Sequence, residues 1–388
     1  MFEKDEASLK AMRADITTRE IKQQPDLWEG TYQIYLDNKQ AISEFLDSAN
    51  KMSAGRTRVV FTGAGTSAYV GDTVAPYLRR VGHTDTYDFA PVASTDIVSA
   101  PLDYLRAEDP TILVSFARSG NSPESLAAVE RAGQIAQHIK YLNITCAPEG
   151  KLAVQAKSDP NALTILIPDA NDQGFAMTGS YSCMELMSLL IFDPATDAQK
   201  KIWVDQISAM GRDVISREPE VADFLAGDYD RLTYLGSGSL GGLTREAQLK
   251  VLELAAGKMA TSFDTSMGYR HGPKSFVDGR TLVFVFVSND AYTRQYDLDI
   301  LHEIDGDAIA QRTVAVQQDV SPSFENDSFT FTGFPPLPEG YLALPYVMFA
   351  QVVSLLNSIK VGNTPDTPSP SGTVNRVVKG VTIHPFNK

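Results

Sequence analysis

The sequence predicts a duplicated α/β protein, each half a parallel sheet covered by helices on both faces. Three observations carry that prediction. Short unbroken apolar segments alternate with amphipathic ones along the chain, as expected of strands buried between helical crossovers. Val59–Gly71, VVFTGAGTSAYVG, reads as a strand end, a glycine turn and a helix start, and Leu232–Gly242, LTYLGSGSLGG, repeats the design. Gly63 and Gly236 are 173 residues apart, and so are Ser115 and Ser288, which indicates an internal repeat.

Taken in order, Asp5–Ile21 reads as an exposed, fraying helix with Met12 and Ile16 on one side, interrupted at Gln24–Pro25. Trp28–Met52 sets Trp28, Ile34, Leu36, Ile42, Phe45 and Leu46 at helical spacing. Strands are expected at Val59–Phe61, Thr84–Ala90, Pro110–Phe116, Tyr141–Cys146 and Ala162–Ile167, with helices at Ser67–Leu78, Ser94–Val98, Leu126–Ala136 and Phe175–Phe192. The second half repeats the course. Helices are expected at Lys201–Leu225, Leu243–Ala256 and Ala343–Ile359, and strands at Leu232–Leu235, Thr281–Ser288, Thr313–Val316 and Ser328–Thr332. The prolines of Asn363–Ser371, NTPDTPSPS, exclude helix and central strand, leaving an extended strap that ends in Thr373–His384. The expected divisions are N-terminal helices over 1–55, a first domain over 56–200, a second over 201–361 and the strap over 362–388.

A chain of 388 residues accommodates two cores, and a hydrophobic share of 43% is ordinary for a globular protein. The net charge of −14 disfavours nucleic acid and anionic membrane surfaces as partners. It does not disfavour an anionic small molecule, which backbone amides and hydroxyls hold locally. No apolar run approaches the roughly 20 residues of a membrane span, and the charged N-terminus lacks the apolar region of a signal peptide. Cys146 and Cys183 have no metal-ligand spacing and read as buried thiols of a reducing compartment. The expected location is the cytoplasm.

A strand, a glycine turn and a helix N-terminus present backbone N–H groups to an anion, here at Gly65, Thr66 and Ser67. After the strand ending at Phe116 comes Arg118-Ser119-Gly120-Asn121-Ser122-Pro123-Glu124-Ser125, with Ser122 as a candidate N-cap. Neighbouring parallel strands share a crevice at their C-terminal ends. Thr66, Ser67, Ser119 and Ser122 are therefore expected to converge on one phosphoryl group, with Arg118 beside them. The competing reading is that these serines only build turns and caps. The second-half equivalent, Ser288–Tyr292, contains Asp290, which would repel a phosphate, so that pocket is expected to be lost.

Lys250 and Glu253 stand one turn apart on the helix after Gly238 and share a face. In Arg270-His271-Gly272-Pro273-Lys274, glycine and proline make a rigid turn that fixes the histidine. A carboxylate and a histidine suit proton shuttling, against the plainer roles of a surface helix position for Glu253 and a satisfied turn histidine for His271. Asp264, Asp278 and His302–Glu303 form no metal pattern, and Ser67 lacks the G-x-S-x-G frame of a nucleophile elbow. No metal or organic cofactor is expected.

Together, GAGTS-x3-G, S-x3-S-G-N-S-P-E-S and Y-R-H-G-P-K resemble the SIS (sugar isomerase) superfamily, in the two-domain arrangement of the isomerase half of glutamine-dependent glucosamine-6-phosphate synthase. The nearest resemblance is to the AgaS-type group of tagatose-6-phosphate ketose/aldose isomerases or galactosamine-6-phosphate deaminases, over essentially the whole chain from about Trp28. It implies tandem SIS domains, each with a flavodoxin-like five-stranded parallel sheet. It also implies a sugar-phosphate substrate and a homodimer whose active site lies between subunits. By the same resemblance Ser67, Ser119 and Ser122 bind phosphate, Glu253 is the base with Lys250 before it, and His271 opens the sugar ring. Lys379, in Arg376–Thr382, corresponds to the synthase's C-terminal lysine.

The pattern departs from the synthase at Ala117, where a serine is expected, and in two extra residues between glutamate and histidine. No glutaminase domain precedes Val59, which favours releasing ammonia over consuming glutamine. The expected activity is isomerising deamination of an amino-sugar phosphate. A plain aldose–ketose isomerase is the second reading. The third is a non-catalytic sugar-phosphate-binding regulator, which would need neither Glu253 nor His271.

Overall fold

The computed structural model describes residues 1–52, 55–369, 371–376 and 380–387. The chain forms two compact units, one of Leu27–Asp172, Gly179–Lys200 and Val374–Lys388, the other of Met1–Asp26, Gln173–Thr178 and Lys201–Thr373. In the first, β1 (Thr57–Thr62), β2 (Tyr87–Pro91), β3 (Thr111–Ala117), β4 (Ile139–Thr145) and β5 (Ala162–Leu166) pair in parallel in the order β2-β1-β3-β4-β5. In the second, β6 (Arg231–Gly236), β7 (Ala260–Thr265), β8 (Thr281–Phe286), β9 (Arg312–Gln318) and β10 (Ser328–Phe331) repeat that topology as β7-β6-β8-β9-β10. The predicted pair of flavodoxin-like sheets is present.

Right-handed crossovers in this strand order put the first and last helices on one face and the intervening segments on the other. In the first unit helix Thr66–Val81 packs with Gly179–Phe192, while Ser94–Ser99 packs with Pro123–Ile135. Phe61 of β1 stacks between Phe89 and Phe116 and meets the edge of Phe192, whereas Val60 and Leu113 face Ile97, Ala128 and Ile135. In the second unit helix Gly238–Leu254 packs with Glu339–Lys360. Helix Thr293–Asp307 covers the opposite face, where Leu298, Leu301 and Ile304 meet Leu235, Val283 and Val285.

The N-terminal expectation is revised. Glu6–Ala11 and Asp15–Lys22 are separate helices, and Gln24–Asn50 begins at Gln24 with Pro25 in its first turn, where a missing N–H costs no helical bond. The second helix does not fray: Thr17, Thr18, Glu20 and Ile21 are buried. The Asp366 carboxylate from the proline-rich strap accepts from the N–H of Ile16 at 3.1 Å and of Thr17 at 2.7 Å.

The sequence did not signal β7 or helix Thr293–Asp307. The strand β7, ATSFDT, lies at a sheet edge with no fully buried residue, and the helix is heavily charged outside one apolar stripe. The repeat is real, but Ser288 is not the counterpart of Ser115. Register sets Thr62 opposite Ser115, hence Gly63 level with Phe116, while Gly236 stands opposite Phe286. Gly63 and Phe116 are 53 residues apart and Gly236 and Phe286 are 50 apart, so Ser288 corresponds to Arg118. The expected absence of a long apolar run also fails. Glu339–Lys360, at 22 residues, is long and apolar enough to cross a membrane by composition, yet its most apolar window is 89% buried inside the fold. It is a core helix.

Gly71 sets the distance between helix Thr66–Val81 and β1, since a Cβ there would stand 2.8 Å from Phe61 Cβ. Gly71→Ala should cost about 1–3 kcal/mol by overpacking, read as a lower denaturation midpoint. Unchanged stability would show that this glycine does not set the spacing.

Candidate active site

At the C-terminal edge of the first sheet β1 and β3 are neighbours, so the loops that follow them emerge side by side. Gly65 takes φ +57°, a backbone that favours glycine, and caps helix Thr66–Val81. A Cβ on Gly63 would lie 2.6 Å from Ser67, so the turn closes tightly on the helix start. Thr66 and Ser67 are buried there. In the second loop Gly120 takes φ +65°, and Ser119 Oγ accepts from the Asn121 N–H at 3.3 Å. Ser122 occupies the expected N-cap position before Pro123, but its hydroxyl makes no capping bond. The structure thus brings Gly65, Thr66, Ser67, Ser119 and Ser122 to one sheet edge, beside a helix N-terminus suited to an anion.

Arg118, also expected here, is buried and donates from Nη2 to the Arg376 carbonyl at 2.8 Å. Arg376 in turn donates to Asn171 Oδ1 at 3.2 Å and to the Asp172 carbonyl. The tail therefore returns across the loop ends of β3 and β5. Further on, Arg131 donates to the His384 carbonyl at 2.8 Å and sits 5.8 Å from the Phe386 ring. Lys379 lies outside the described residues.

In the second unit Lys250 is the centre of a charged helical triad, 3.4 Å from Glu246 and 2.5 Å from Glu253. Burial opposes the lysine's charge, but the two carboxylates outweigh it and raise the ammonium above the ordinary lysine range. Glu246 was not singled out from the sequence, although its i, i+4 spacing to Lys250 was visible there. His271 is exposed at the end of the turn Gly268–Arg270, with its N–H bonded to the Gly268 carbonyl at 2.9 Å. Gly272 follows at φ +119°. Glu303 clamps both sides of the histidine, accepting from Arg270 at 2.6 Å and Lys274 at 2.5 Å. These bonds hold its carboxyl below the usual range.

Glu253 and His271 are not brought together within one chain. Helix Gly238–Leu254 returns from the strand ends along the face it shares with Glu339–Lys360, which carries Glu253 about 22 Å from the helix start. Tyr269, two residues before His271, packs on the other face among Leu235, Leu298 and Leu301. The sheet stands between them. Among the described residues no group of histidine, cysteine and carboxylate side chains is arranged to hold a metal. Cys146 and Cys183 are free thiols and buried; burial pushes the Cys183 thiol up to about 12.

Two carboxylates stand near the strand ends of the second sheet. Asp290 turns to its own helix, accepting from the Thr293 N–H at 2.9 Å. The space at the strand ends is instead spanned by Asp297, a buried carboxylate taken up below.

Two doubly wound sheets, one with a hydroxyl-lined glycine loop at its strand ends, define a protein of tandem SIS domains, and residues 53–192 match the SIS domain family. Over 383 residues the chain is 42% identical to the D-galactosamine-6-phosphate deaminase AgaS of Escherichia coli O157:H7, covering 95% of this chain and 96% of that one. It belongs to the AgaS family. The solved tagatose-6-phosphate ketose/aldose isomerase of Escherichia coli matches with a TM-score of 0.86 and 37% identity over 100% of both chains. The C-terminal domain of glucosamine-fructose-6-phosphate aminotransferase from Francisella tularensis shares the fold at a TM-score of 0.73 and 17% identity, over 90% of this chain and 98% of that one.

Inorganic phosphate should raise the melting temperature of the wild-type protein. Ser67→Ala combined with Ser119→Ala should weaken phosphate binding at least about 10-fold, since each charge-assisted bond is worth about 1.5–3 kcal/mol. An undiminished phosphate effect in the double variant would move the anion site elsewhere.

Proposed function

We propose that this chain is an isomerising deaminase that converts an amino-sugar 6-phosphate, galactosamine 6-phosphate foremost, to a ketose 6-phosphate and ammonium. The observation that carries the reading is the exposure of Glu253. Of its triad it alone reaches solvent, with 24% of its side chain exposed against 1% for Lys250 and 0% for Glu246. Isomerising deamination needs one such reachable carboxylate. The names of two relatives also fit together: removing the C2 amine from galactosamine 6-phosphate by isomerisation leaves C3 to C5 unchanged and yields tagatose 6-phosphate.

In this reading Gly65, Thr66, Ser67, Ser119 and Ser122, with Arg118 beside them, hold the phosphoryl group. His271 moves a proton between the ring oxygen and O1, which opens the pyranose and exposes the C1 aldehyde. The C2 proton becomes acidic only then, and Glu253 takes it, leaving an enolamine across C1 and C2. Returning the proton to C1 gives a C2 imine, which water hydrolyses to the ketone and ammonia. Lys250 orients the carboxylate through their 2.5 Å contact. Lys379 is assigned, through the resemblance, to stabilising the open-chain sugar. Each step is proton transfer at a carbonyl-activated carbon or hydrolysis of an imine, and neither calls for a metal or organic cofactor.

Because Glu253 and His271 occupy opposite faces of one sheet, the reading takes the enzyme to be a homodimer in which one copy's His271 serves the other's Glu253. A phosphate ester does not cross membranes unaided, so the reading also places the enzyme in the cytoplasm. The plain aldose–ketose isomerase stays as the second reading because a solved relative carries that name.

Galactosamine 6-phosphate should yield one ammonium per ketose formed. Conversion of hexose 6-phosphates alone would favour the second reading, and tight binding without turnover would make the protein a regulator. Glu253→Gln should lower kcat by about 10²–10⁴-fold with KM near wild type. His271→Ala should be partly restored by a substrate locked in open-chain form, and Glu253→Gln should not. Wild-type turnover by Glu253→Gln would remove it from the base role.

A further inference from the structure

The glycine turn of the second sheet repeats that of the first in backbone. Gly238 takes φ +55° where Gly65 takes +57°, and Cβ atoms on Gly236 and Gly63 would each collide with the residue four places on. Between the ends of three strands of the second sheet stands a carboxylate of the chain itself. Asp297, fully buried near the start of helix Thr293–Asp307, accepts from Ser237 Oγ at 2.6 Å and Ser266 Oγ at 2.5 Å through one oxygen. Its other oxygen accepts from the Ser288 N–H at 2.9 Å. Those three donors follow β6, β7 and β8 respectively. Ser237 occupies an N-cap position, yet its hydroxyl makes no capping bond because it turns to Asp297.

We propose that Asp297 is an internal anion that ties together the ends of β6, β7 and β8, and that it is a positioning residue for the turn that carries His271 and for the helix that carries Lys250 and Glu253. Ser237 precedes that helix, and Ser266 opens the segment that runs through Gly268–Arg270 to His271. One carboxylate therefore sets where both elements leave the sheet. Burial raises the Asp297 carboxyl to about 6, while the three donors pull it back down. Glu339, which accepts from Ser288 Oγ, adds to the rise. A carboxylate kept in so unfavourable a place, with its donors converging from three strands, is a built anion site with a covalently attached occupant.

The catalytic half of this inference rests on the roles proposed for Glu253 and His271, and the anion-site half does not. Asp297→Ala removes the carboxylate and leaves its donors facing a cavity the size of formate. Formate should raise the melting temperature of Asp297→Ala by about 3 °C and leave that of the wild type unmoved. With galactosamine 6-phosphate, Asp297→Ala should lose about 10²-fold in kcat with KM little changed, and formate should restore much of that loss. Asp297→Asn fills the cavity, keeps the shape and loses the charge, so it should show a lower kcat without formate rescue. Should Asp297→Ala fail to fold, formate-dependent refolding and the kcat of Asp297→Asn decide. Absence of a formate effect on Asp297→Ala, or wild-type kcat in Asp297→Asn, overturns the proposal. A wild type without turnover would sink the functional reading and leave the formate experiment as a test of the anion site.

Discussion

The handedness of parallel crossovers is the constraint on which the rest of this structure depends. A strand order of β7-β6-β8-β9-β10 with right-handed connections leaves no choice of face. The first crossover, Gly238–Leu254, falls beside the last helix, Glu339–Lys360, and the connection from β7 to β8 falls on the other side. Lys250 and Glu253 ride on the first of these and His271 on the second. Chemistry that uses both groups cannot be assembled on one sheet. The proposed homodimer follows from this topology rather than from any surface feature. The same rule brings the glycine loops to the C-terminal strand ends, where helix dipoles and hydroxyls favour an anion.

The duplicated halves show how one scaffold is used in two ways. At the edge of the first sheet the hydroxyl of Ser122, though at an N-cap, is not spent on the helix behind it. At the edge of the second, donors that follow β6, β7 and β8 are satisfied within the fold by Asp297, with Glu339 taking the Ser288 hydroxyl. A ligand's charge comes and goes, whereas a built-in carboxylate holds the edge permanently in one shape. The segment carrying His271 is secured from the same helix a second time, by Glu303 against Arg270 and Lys274.

Legibility in the sequence followed the range of the interaction. The central strands β1, β3, β6 and β8 were readable because burial on both faces demands short unbroken apolar runs. The glycine turns were readable because their backbone needs glycine, and Lys250 with Glu253 because helical spacing alone makes them neighbours. The strand β7 was not readable, since an edge strand without a buried side chain leaves no apolar pattern. Asp297 and Glu303 were hidden for another reason. Their partners, Ser237 and Arg270, lie 60 and 33 residues away, and only the completed sheet brings them within reach. The revised equivalence of Ser288 with Arg118 has the same origin, because strand register is a tertiary fact.

The central claim is that Glu253 moves a proton between C2 and C1 of an opened amino-sugar phosphate. The most direct test is proton exchange at C2 of galactosamine 6-phosphate in deuterated water, followed by NMR with wild-type enzyme and with Glu253→Gln. The account predicts that the wild type exchanges the C2 proton and delivers solvent deuterium to C1 of the ketose, while Glu253→Gln does neither. Exchange by Glu253→Gln at the wild-type rate would contradict it and make Lys250 the next candidate for the base.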